Sequence, residues 1–541
     1  MNKIKVMVVN ECSFLASGYG RYGHNLLTHL HKDPRFEMIE MGTFYTLGDE
    51  RANSIPWKFC PNFPSVSLSK QEIEEFTKSQ ECQMGYALFD AIALQERPHV
   101  VLNITDYWSQ KFINNSPYRK CFSSLWLAPH DSIPQNIEWL EDMQNHDGVL
   151  GYTDWAISEI NKAAPKVKTF GSVPGAAAPE YTPMNKNDLK RSLGIGTDNQ
   201  IVGTVMRNQF RKLFPNLFAS FRKFLNKTGK NNVYLYCHTT YPDGSFNIPN
   251  LLQTHNIAHK TLFTYSCRKC KYAFPSFYCD IATCPQCHHL SAMMPTTHHG
   301  VDEKTLAKIY NIFDCYVQYS NSGGLEISQL EAAQCGVPVM SVDYSAMSDV
   351  VRKVSGYPIK VLGYNTEMST GCLRALPDDN HLVELLINFF RKPQAIRNME
   401  GKKTENALHQ NYSWEKTAKV WADAIVAVAK GDRWNTPPNL HVAAPYQDLN
   451  CSNVEYANWL VRDVWGRPDK IGSVMHSTLI RDLNYGMMTG ANNPNTSSED
   501  SVLFNNNKLM HFDREIAYKV FKQLSDDNYH KELLRKEKLG L

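Results

Sequence analysis

The sequence contains no run of eighteen apolar residues and no strong excess of charge of either sign. Without such a run we expect no transmembrane helix. The 57 Lys and Arg residues nearly balance the 54 Asp and Glu residues, so a net charge of +3 does not itself indicate a nucleic-acid or membrane partner. The first ten residues also lack the long apolar stretch and small-residue cleavage site of a secretory signal peptide. We therefore expect a cytoplasmic protein.

The fourteen cysteines are not accompanied by a secretory signal, which favours free thiols or metal ligation over a disulfide scaffold. Two Cys-x-x-Cys turns lie thirteen residues apart, and their members are Cys267, Cys270, Cys284 and Cys287. Four thiolates at this spacing predict a tetrahedral zinc site that is structural and closed. The alternative interpretation is two reduced cysteine pairs that bind no metal.

Short apolar strands alternate with helical patterns as far as about residue 430. This alternation predicts an α/β fold with two doubly wound, Rossmann-like domains, because 541 residues exceed what one core holds. A proline-rich stretch at 173–183 separates the two series of strands. The predicted domains are an acceptor-side domain at 1–183, a nucleotide-sugar domain at 184–430 with a zinc ribbon at 263–290, and a helical extension at 431–541. Ligands should bind in the cleft between the two sheets.

The stretch from Ser320 to Val339 carries the clearest functional pattern. Gly323 and Gly324 form a small turn directly before a helical pattern. A glycine turn that opens a helix presents free N–H groups and a positive dipole end, both of which suit a phosphate. Glu331 follows about one and a half turns into this helix, where its carboxylate can reach a pair of hydroxyls. The pattern therefore indicates a site for a nucleoside diphosphate.

Six motifs in residues 1 to about 430 resemble, in order, those of the retaining glycosyltransferases of family 4, which have the GT-B fold. No single motif is specific, and the resemblance depends on their order and spacing. The motifs are the glycine loop Ser17–Gly20, the strand end Leu127–Asp131, the linker Val173–Ala177, the strand Gly203–Arg207 with Lys212 after it, the helix and strand Gln329–Val339, and the closing segment Tyr412–Thr417.

The resemblance implies transfer of a sugar, with retention at the anomeric carbon, from a nucleoside-diphosphate donor that we expect to be a UDP-sugar. It implies that Arg207 and Lys212 grip the diphosphate, that His130 faces the donor sugar and that Glu331 holds the ribose. No catalytic metal is implied, and the chain has no Asp-x-Asp motif. The implied donor-binding set is Gly18, Gly20, Gly323, Gly324, Leu325 and Glu331.

The chain departs from the family pattern at one position. The family has two glutamates with seven residues between them, and counting back from Glu331 places the first at position 323, which is Gly323. Either Glu326, on the same turn, takes over the contact to the donor sugar, or the donor differs from the common hexoses. We include Glu326 with Arg207, Lys212 and His130 among the candidate catalytic residues.

Each of these assignments has an ordinary structural alternative. Arg207 and Lys212 also fit solvated surface cations, Gly18 and Gly20 a tight turn, and His130 a core histidine. The acceptor is not identified by the sequence. Basic and aromatic residues interleave along the ribbon and suit a hydroxymethylated base in phage-type DNA, although they also suit a small solvated core. The other possibilities are a surface glycan or protein as acceptor, a nucleotide-sugar epimerase, and an inactive nucleotide-sugar binding protein.

Overall fold

The computed structural model describes residues 3–63, 69–296, 299–436, 443–447, 449–485, 487–488, 510–511 and 513–538. The chain divides into two compact units. The larger unit comprises Met1–Leu88, Pro98–Gln110 and Phe122–Gly431, and the smaller comprises Phe89–Arg97, Lys111–Cys121 and Asp432–Leu541. Within the described ranges, every helix is too short or too polar to cross a bilayer.

The first sheet of the larger unit has seven strands, all parallel. They are β1 (Ile4–Glu11), β2 (Phe36–Thr43), β3 (Lys58–Pro61), β4 (Val100–Asn103), β5 (Ser123–Ala128), β6 (Gly148–Gly151) and β7 (Thr169–Ser172). Their spatial order is β3-β2-β1-β4-β5-β6-β7. Residues 6–9 of β1 are fully buried on both faces, as expected where helices cover both sides of a parallel sheet.

Helices follow most of these strands. They are α1 (Gly18–Leu30), α2 (Lys70–Lys78), α3 (Gln80–Gln83), α4 (Phe89–Glu96), α5 (Lys111–Asn115), α6 (Ile137–Met143) and α7 (Asp154–Ala163), with short 3-10 turns at Glu50–Ser54 and Tyr107–Ser109. Helix α1 begins at Gly18 because the Ser17 hydroxyl caps it, accepting a hydrogen bond from the Gly20 N–H at 3.1 Å. Of this series, α4 and α5 belong to the smaller unit.

The second sheet is parallel at its centre and antiparallel at one edge. Its strands are β8 (Gln200–Val205), β9 (Val233–His238), β10 (Thr261–Cys267), β11 (Ala273–Phe277), β12 (Ala282–Thr283), β13 (Leu290–Met293), β14 (Cys315–Gln318), β15 (Val339–Val342) and β16 (Tyr357–Ile359). The order is β12-β13-β10-β9-β8-β14-β15-β16, with β11 also paired to β10. The pairs of β10 with β11 and β13, and of β12 with β13, are antiparallel and form the inserted ribbon.

The remaining elements of the larger unit surround the second sheet. The helices are α8 (Lys186–Ser192), α9 (Phe214–Thr228), α10 (Ile248–Thr254), α11 (Glu303–Asn311), α12 (Ile327–Gln334), α13 (Ser345–Lys353), α14 (Asp379–Arg391), α15 (Gln394–Asn411) and α16 (Trp414–Val428). A 3-10 turn spans Ala258–Lys260, and β17 (Val361–Thr366) pairs with β18 (Leu373–Pro377) as a hairpin.

The last helix of the larger unit, α16, returns to the first sheet. Trp421 donates a hydrogen bond to the Tyr22 hydroxyl at 3.1 Å, and Trp414 donates to the Ala176 carbonyl at 2.8 Å. Gly175 has a φ of +72°, and a Cβ there would lie 2.7 Å from the Trp414 ring. The close approach of α16 to the linker therefore requires glycine at this position.

The smaller unit contains a helical C-terminal region. In addition to α4 and α5 it comprises α17 (Asn453–Trp459), a π-helical turn at Leu460–Val464, a 3-10 turn at Pro468–Lys470, α18 (Val474–Tyr485), the paired short strands β19 (Met487–Met488) and β20 (Met510–His511), and α19 (Arg514–Lys538). Its apolar core includes Tyr456, Leu460, Leu479 and Phe521. These observations confirm the predicted fold: two parallel α/β sheets, a cysteine-rich insertion and a helical C-terminal region. The domain boundaries at 183 and 430 stay predictions.

Candidate functional site

A cavity of about 790 Å³ lies where the carboxyl ends of the two parallel sheets face each other. Glu11 at the end of β1 and Asp106 after β4 line it from the first sheet. Arg207 after β8, Thr239 after β9 and Leu325 before α12 line it from the second. Polar side chains that follow several strands thus meet in one cavity, which is the usual place for a ligand in open α/β sheets.

The two cations predicted to hold a diphosphate both line this cavity. Arg207 is 54% exposed, and its Nε lies 3.0 Å from a carboxylate oxygen of Asp243. Lys212 is only 3% exposed. Burial, and next the adjacent Arg211 cation, lower the pKa of Lys212 to about 7, although Glu326 acts in the opposite direction. Lys212 is therefore a cation that is held at a cost in desolvation free energy.

Glu326 is the counter-ion of this cationic cluster. One of its carboxylate oxygens pairs with Arg211 and the other with Lys212, and the Gln318 side-chain amide donates to it at 3.0 Å. Burial raises the pKa of a carboxyl, yet the Lys212 and Arg211 cations bring that of Glu326 down to about 2. The carboxylate is thus ionised at neutral pH, and Arg211 is a site residue that the sequence analysis missed.

The position of Glu326 explains the glycine at 323. Glu326 adopts a left-handed conformation with a φ of +59° at the start of α12, which turns its side chain back over Gly323. A Cβ at position 323 would come within 2.5 Å of the Glu326 Cγ and Oε1 atoms. The backbone of Gly323 is also held in place, because its N–H donates a hydrogen bond to the Ser345 hydroxyl at 3.1 Å. Glycine at 323 and the carboxylate at 326 therefore depend on each other.

Glu331 is 1% exposed and carries two strong contacts of its own. Its carboxylate forms an ion pair with Arg21 and accepts a hydrogen bond from the Tyr310 hydroxyl at 2.7 Å. Arg21 belongs to α1, and its Nε also lies 2.7 Å from the Glu303 carboxylate in α11. Arg21 directly follows the glycine loop Ser17–Gly20, but these two partners are 282 and 310 residues away in the chain, so no local pattern indicates the contact.

The other predicted residues divide into two groups. Gly18, Gly324 and Leu325 line the cavity, whereas Gly20, Gly323 and His130 are not among its lining residues. At Gly20 a Cβ would meet the Leu15 and Cys12 carbonyl oxygens at 2.7 and 2.8 Å, so glycine is needed there for packing.

His130 is buried behind the cavity wall. Its Nδ1 lies 3.0 Å from the Tyr107 hydroxyl, and its ring packs against Trp155. Burial lowers the pKa of His130 to about 4, which leaves it neutral at physiological pH. Its neighbour Asp131 does line the cavity and pairs with Arg374 at 2.9 Å. The Nε2 atom of His130 is buried and has no hydrogen-bond partner in the described part of the chain, and the role of His130 toward the donor sugar stays a prediction.

The four predicted zinc ligands converge at the tip of the ribbon. Their sulfur atoms all lie within 4.8 Å of one another, and the contacts of Cys267 with Cys287 and of Cys270 with Cys284 are 3.6 and 3.5 Å. Zn–S bonds of about 2.3 Å in a tetrahedron place the sulfurs about 3.8 Å apart. The donor set therefore fits one tetrahedral zinc ion.

The two Cys-x-x-Cys turns have the same backbone conformation. The residue four positions after the first cysteine has a positive φ in both, +64° at Lys271 and +58° at His288. The N–H of each donates to the carbonyl of that first cysteine, at 3.0 and 2.9 Å. Such conformations are uncommon for residues other than glycine. Their repetition indicates two equivalent turns that present sulfur to a common point.

We predict that the isolated protein contains about one zinc ion per chain and that Cys284→Ser lowers both the zinc content and the melting temperature. Zinc thiolate bonds supply much of the folding free energy of such small ribbons. Metal analysis and thermal unfolding measure the two effects. Cys279→Ser is the matched control, because Cys279 lies in the ribbon outside the four-sulfur cluster. A parent protein with far less than one zinc per chain would contradict the assignment.

We predict that Arg21→Met lowers the free energy of unfolding by about 3 kcal/mol, because it leaves the buried Glu331 carboxylate without its cation. Denaturant unfolding measures the change. Arg35→Met is the control, since Arg35 forms a comparable pair with Asp33 at the surface and should cost at most about 1 kcal/mol.

Adding Glu331→Gln to the Arg21→Met variant should recover much of the stability by removing the unpaired charge. Equal losses in the free energy of unfolding for Arg21→Met and Arg35→Met would show that the buried ion pair stabilises the fold no more than the surface pair.

No protein-family model and no curated protein sequence matches the chain. Solved structures do resemble it. Sucrose-phosphate synthase from Thermosynechococcus elongatus has a TM-score of 0.57 at 14% identity, covering 79% of this chain and 100% of its own. HepE from Anabaena, in complex with UDP and glucose, has a TM-score of 0.54 at 12% identity, covering 78% and 100%. A glycosyltransferase from Rickettsia africae has a TM-score of 0.53 at 11% identity, covering 80% and 100%.

At these identities the similarity is one of fold. In each comparison about four fifths of this chain aligns with the whole of the other protein, which leaves about a fifth of the chain outside the match. The chain therefore has the GT-B fold of glycosyltransferases, with a four-cysteine insertion in its second sheet and a helical C-terminal region.

Proposed function

We propose that the protein is a retaining glycosyltransferase that moves a sugar from a UDP-sugar to an acceptor hydroxyl. The observation that carries the proposal is the cationic cluster of the buried Lys212 and the partly exposed Arg211, which meet Glu326 at the start of α12 on the wall of the cavity between the sheets. Arg211 and Lys212 together carry one positive charge more than Glu326 neutralises, and a diphosphate would supply negative charge beside the N–H groups of a helix terminus. HepE, which shares the fold, was solved with UDP and glucose.

In this proposal the cations stabilise the leaving group. The bond between the anomeric carbon and the donor phosphate oxygen breaks, and negative charge grows on the diphosphate. Lys212, Arg211 and Arg207 face that charge in a site partly screened from water, where such interactions are strong. The acceptor oxygen forms the new bond to the anomeric carbon, and its proton passes to the departing phosphate oxygen. Retention is supported by the resemblance of the sequence motifs to family 4.

Glu326 is assigned to the donor sugar. Its carboxylate occupies the space in front of position 323, where the family pattern has a glutamate. Lys212 and Gln318 both donate to Oε2, whereas Oε1 pairs only with Arg211 and retains a lone pair for a sugar hydroxyl. The same carboxylate therefore balances the cations and accepts hydrogen bonds from the sugar.

The acceptor half of the cavity favours a neutral, hydroxyl-bearing acceptor. Glu11 and Asp106 line it, burial raises the pKa of both carboxyls, and Asp106 already accepts a hydrogen bond from Tyr19 at 2.6 Å. Carboxylates accept hydrogen bonds from hydroxyls and repel phosphates. A glycan or another polyol suits this lining better than a long polyanion.

A hydroxymethylated base in DNA has weaker support. Two basic residues of the ribbon that could contact such an acceptor already have other partners: Arg268 donates to backbone carbonyls, and Lys269 contacts the His289 ring. Binding to duplex DNA that falls steeply with salt would favour this alternative. An inactive nucleotide-sugar binding protein would bind UDP-glucose but neither transfer nor hydrolyse it.

We predict that UDP-glucose binds less tightly as pH rises through about 7, because Lys212 has a pKa of about 7 and loses its charge above that value. The diphosphate of UDP-glucose keeps a constant charge over this range, so the change reports on the protein. Lys212→Met should remove the pH dependence and lower turnover about 100-fold. Calorimetric titration at several pH values and a donor-hydrolysis assay measure the two effects.

Lys223→Met is the control for Lys212→Met, because Lys223 is an exposed lysine of α9 whose ammonium group donates to the Asn380 side chain outside the cavity. It should leave binding and turnover unchanged. A parent protein that neither binds nor hydrolyses UDP-sugars would contradict the proposed function.

We predict that Glu326→Gln lowers turnover at least about 10-fold and lowers turnover more than UDP affinity, because the donor sugar loses a contact that the nucleotide does not make. Comparison of turnover with UDP affinity from calorimetry separates the two effects. Glu138→Gln, at the exposed start of α6, is a neutral control. An equal loss of UDP affinity in Glu326→Gln would instead assign this carboxylate to the structure of the diphosphate site.

A further inference from the structure

The ribbon continues directly into a wall of the cavity. After β13 the chain enters the 295–301 segment, of which Pro295, Thr296, Gly300 and Val301 line the cavity. Residues 297 and 298 lie outside the described part of the chain. The 295–301 segment connects the four-cysteine insertion to α11, so its position depends on contacts with the ribbon and with the rest of the second sheet.

Arg268 holds this segment from the ribbon side. Its guanidinium donates to the Met294 carbonyl at 3.3 Å and to the His299 carbonyl at 3.4 Å. These two acceptors lie on either side of the cavity-lining residue Thr296. From the opposite side the Thr240 hydroxyl donates to the Pro295 carbonyl at 2.9 Å. One side chain of the ribbon therefore contacts the backbone on both sides of the cavity-lining residue Thr296.

Arg268 is itself fixed by the metal-binding turn. It follows Cys267 directly and precedes Cys270, so its backbone is part of the first Cys-x-x-Cys turn. Its N–H donates to the Ser291 carbonyl at 3.0 Å, and the Ser291 hydroxyl lies 3.2 Å from the Cys267 sulfur. A metal ion on the four sulfurs would hold this turn rigid, and with it the base of the Arg268 side chain.

The wall that Arg268 supports lies on the nucleoside side of the cavity. Glu331 follows Glu326 by five residues, about 7.5 Å along α12, so a ribose on Glu331 would have its phosphates toward Lys212 and its base on the far side. Arg21 contacts both Glu331 and Glu303, which places Glu303 next to the ribose position. Glu303 begins α11, two residues after the 295–301 segment ends.

The same part of the cavity offers polar groups for a base. The Thr239 hydroxyl is buried in the cavity wall and has no hydrogen-bond partner in the described ranges. His238 lines the wall beside it, and burial lowers its pKa to about 4, so its ring is neutral. Uncharged donors and acceptors of this kind suit the edge of a nucleobase.

We propose that Arg268 is a positioning residue that couples the metal-bound ribbon to the nucleobase side of the donor site, so that zinc binding sets the affinity for the nucleotide. The ribbon then serves donor recognition and does not contact the acceptor. The inference rests on the proposed function, because it takes the cavity to be a nucleoside-diphosphate site.

The test compares UDP with inorganic pyrophosphate, which lacks the base and ribose. Both are titrated into the full-length chain with zinc added, and zinc content is measured for each variant. Arg268→Gln should retain its zinc, bind UDP about 5-fold or more weakly, and bind pyrophosphate as the parent does. Lys269→Gln is the matched control in the same turn, because Lys269 contacts His289 and not the 295–301 segment. It should bind UDP as the parent does.

A second arm removes the metal from the parent with a chelator. UDP affinity should fall to the level of Arg268→Gln and return when zinc is added back, while chelation should change the UDP affinity of Arg268→Gln very little. This arm is independent of the effect of the substitution on folding.

The outcomes that would overturn the proposal are distinct from those that concern the proposed function. The proposal is wrong if Arg268→Gln binds UDP normally, if UDP and pyrophosphate weaken equally, or if metal removal leaves UDP affinity unchanged. It is also wrong if only the KM for the acceptor changes, since the segment would then belong to the acceptor site. A parent protein that binds neither UDP nor pyrophosphate would instead contradict the proposed function itself.

Discussion

The ion pairs of Arg21 join the two halves of the cavity, and the rest of the site depends on them. Arg21 extends from the first helix of the first sheet to two carboxylates on helices of the second sheet. One of these, Glu331, is almost inaccessible to water, so its charge would be very unfavourable without a cation. Only when the two sheets lie close together is that charge neutralised. The residue expected to hold the ribose is therefore also the residue that ties the sheets to each other.

A second constraint acts within the second sheet. Two cations and one carboxylate, Arg211, Lys212 and Glu326, are packed together at the start of α12. The group keeps a net positive charge, which attracts a diphosphate, while the carboxylate limits the cost of desolvating the cations. The opposite wall carries Glu11 and Asp106. The cationic cluster and the Glu11 and Asp106 carboxylates therefore lie on opposite walls of the cavity.

The parts of this arrangement that the sequence predicts are those with a local pattern. Apolar runs bounded by turns locate the central strands, since buried parallel strands are continuously apolar. The Cys-x-x-Cys spacing locates the sulfur cluster because all four ligands lie within 21 residues. Lys212 comes shortly after the end of β8, and Glu331 lies in the helix α12 that follows the glycine turn.

The parts that the sequence does not predict depend on partners far away in the chain. Arg21 and Arg268 look like ordinary surface cations until the fold places a carboxylate or a carbonyl opposite each of them. The contacts of His130 with Tyr107 and Trp155 likewise depend on tertiary packing, and its role toward the donor sugar stays a prediction.

The contact between Gly323 and Glu326 limits how the sequence of this site can change. A glutamate introduced at 323 alone would collide with the side chain already present at 326. Loss of the carboxylate at 326 alone would leave Lys212 and Arg211 facing each other without a counter-ion. Each single variant would therefore have a disrupted site. We expect the residues at the two positions to change together or not at all. The exchange of one carboxylate position for the other is therefore an epistatic step, which separates this chain from sequences that carry the acidic residue three positions earlier.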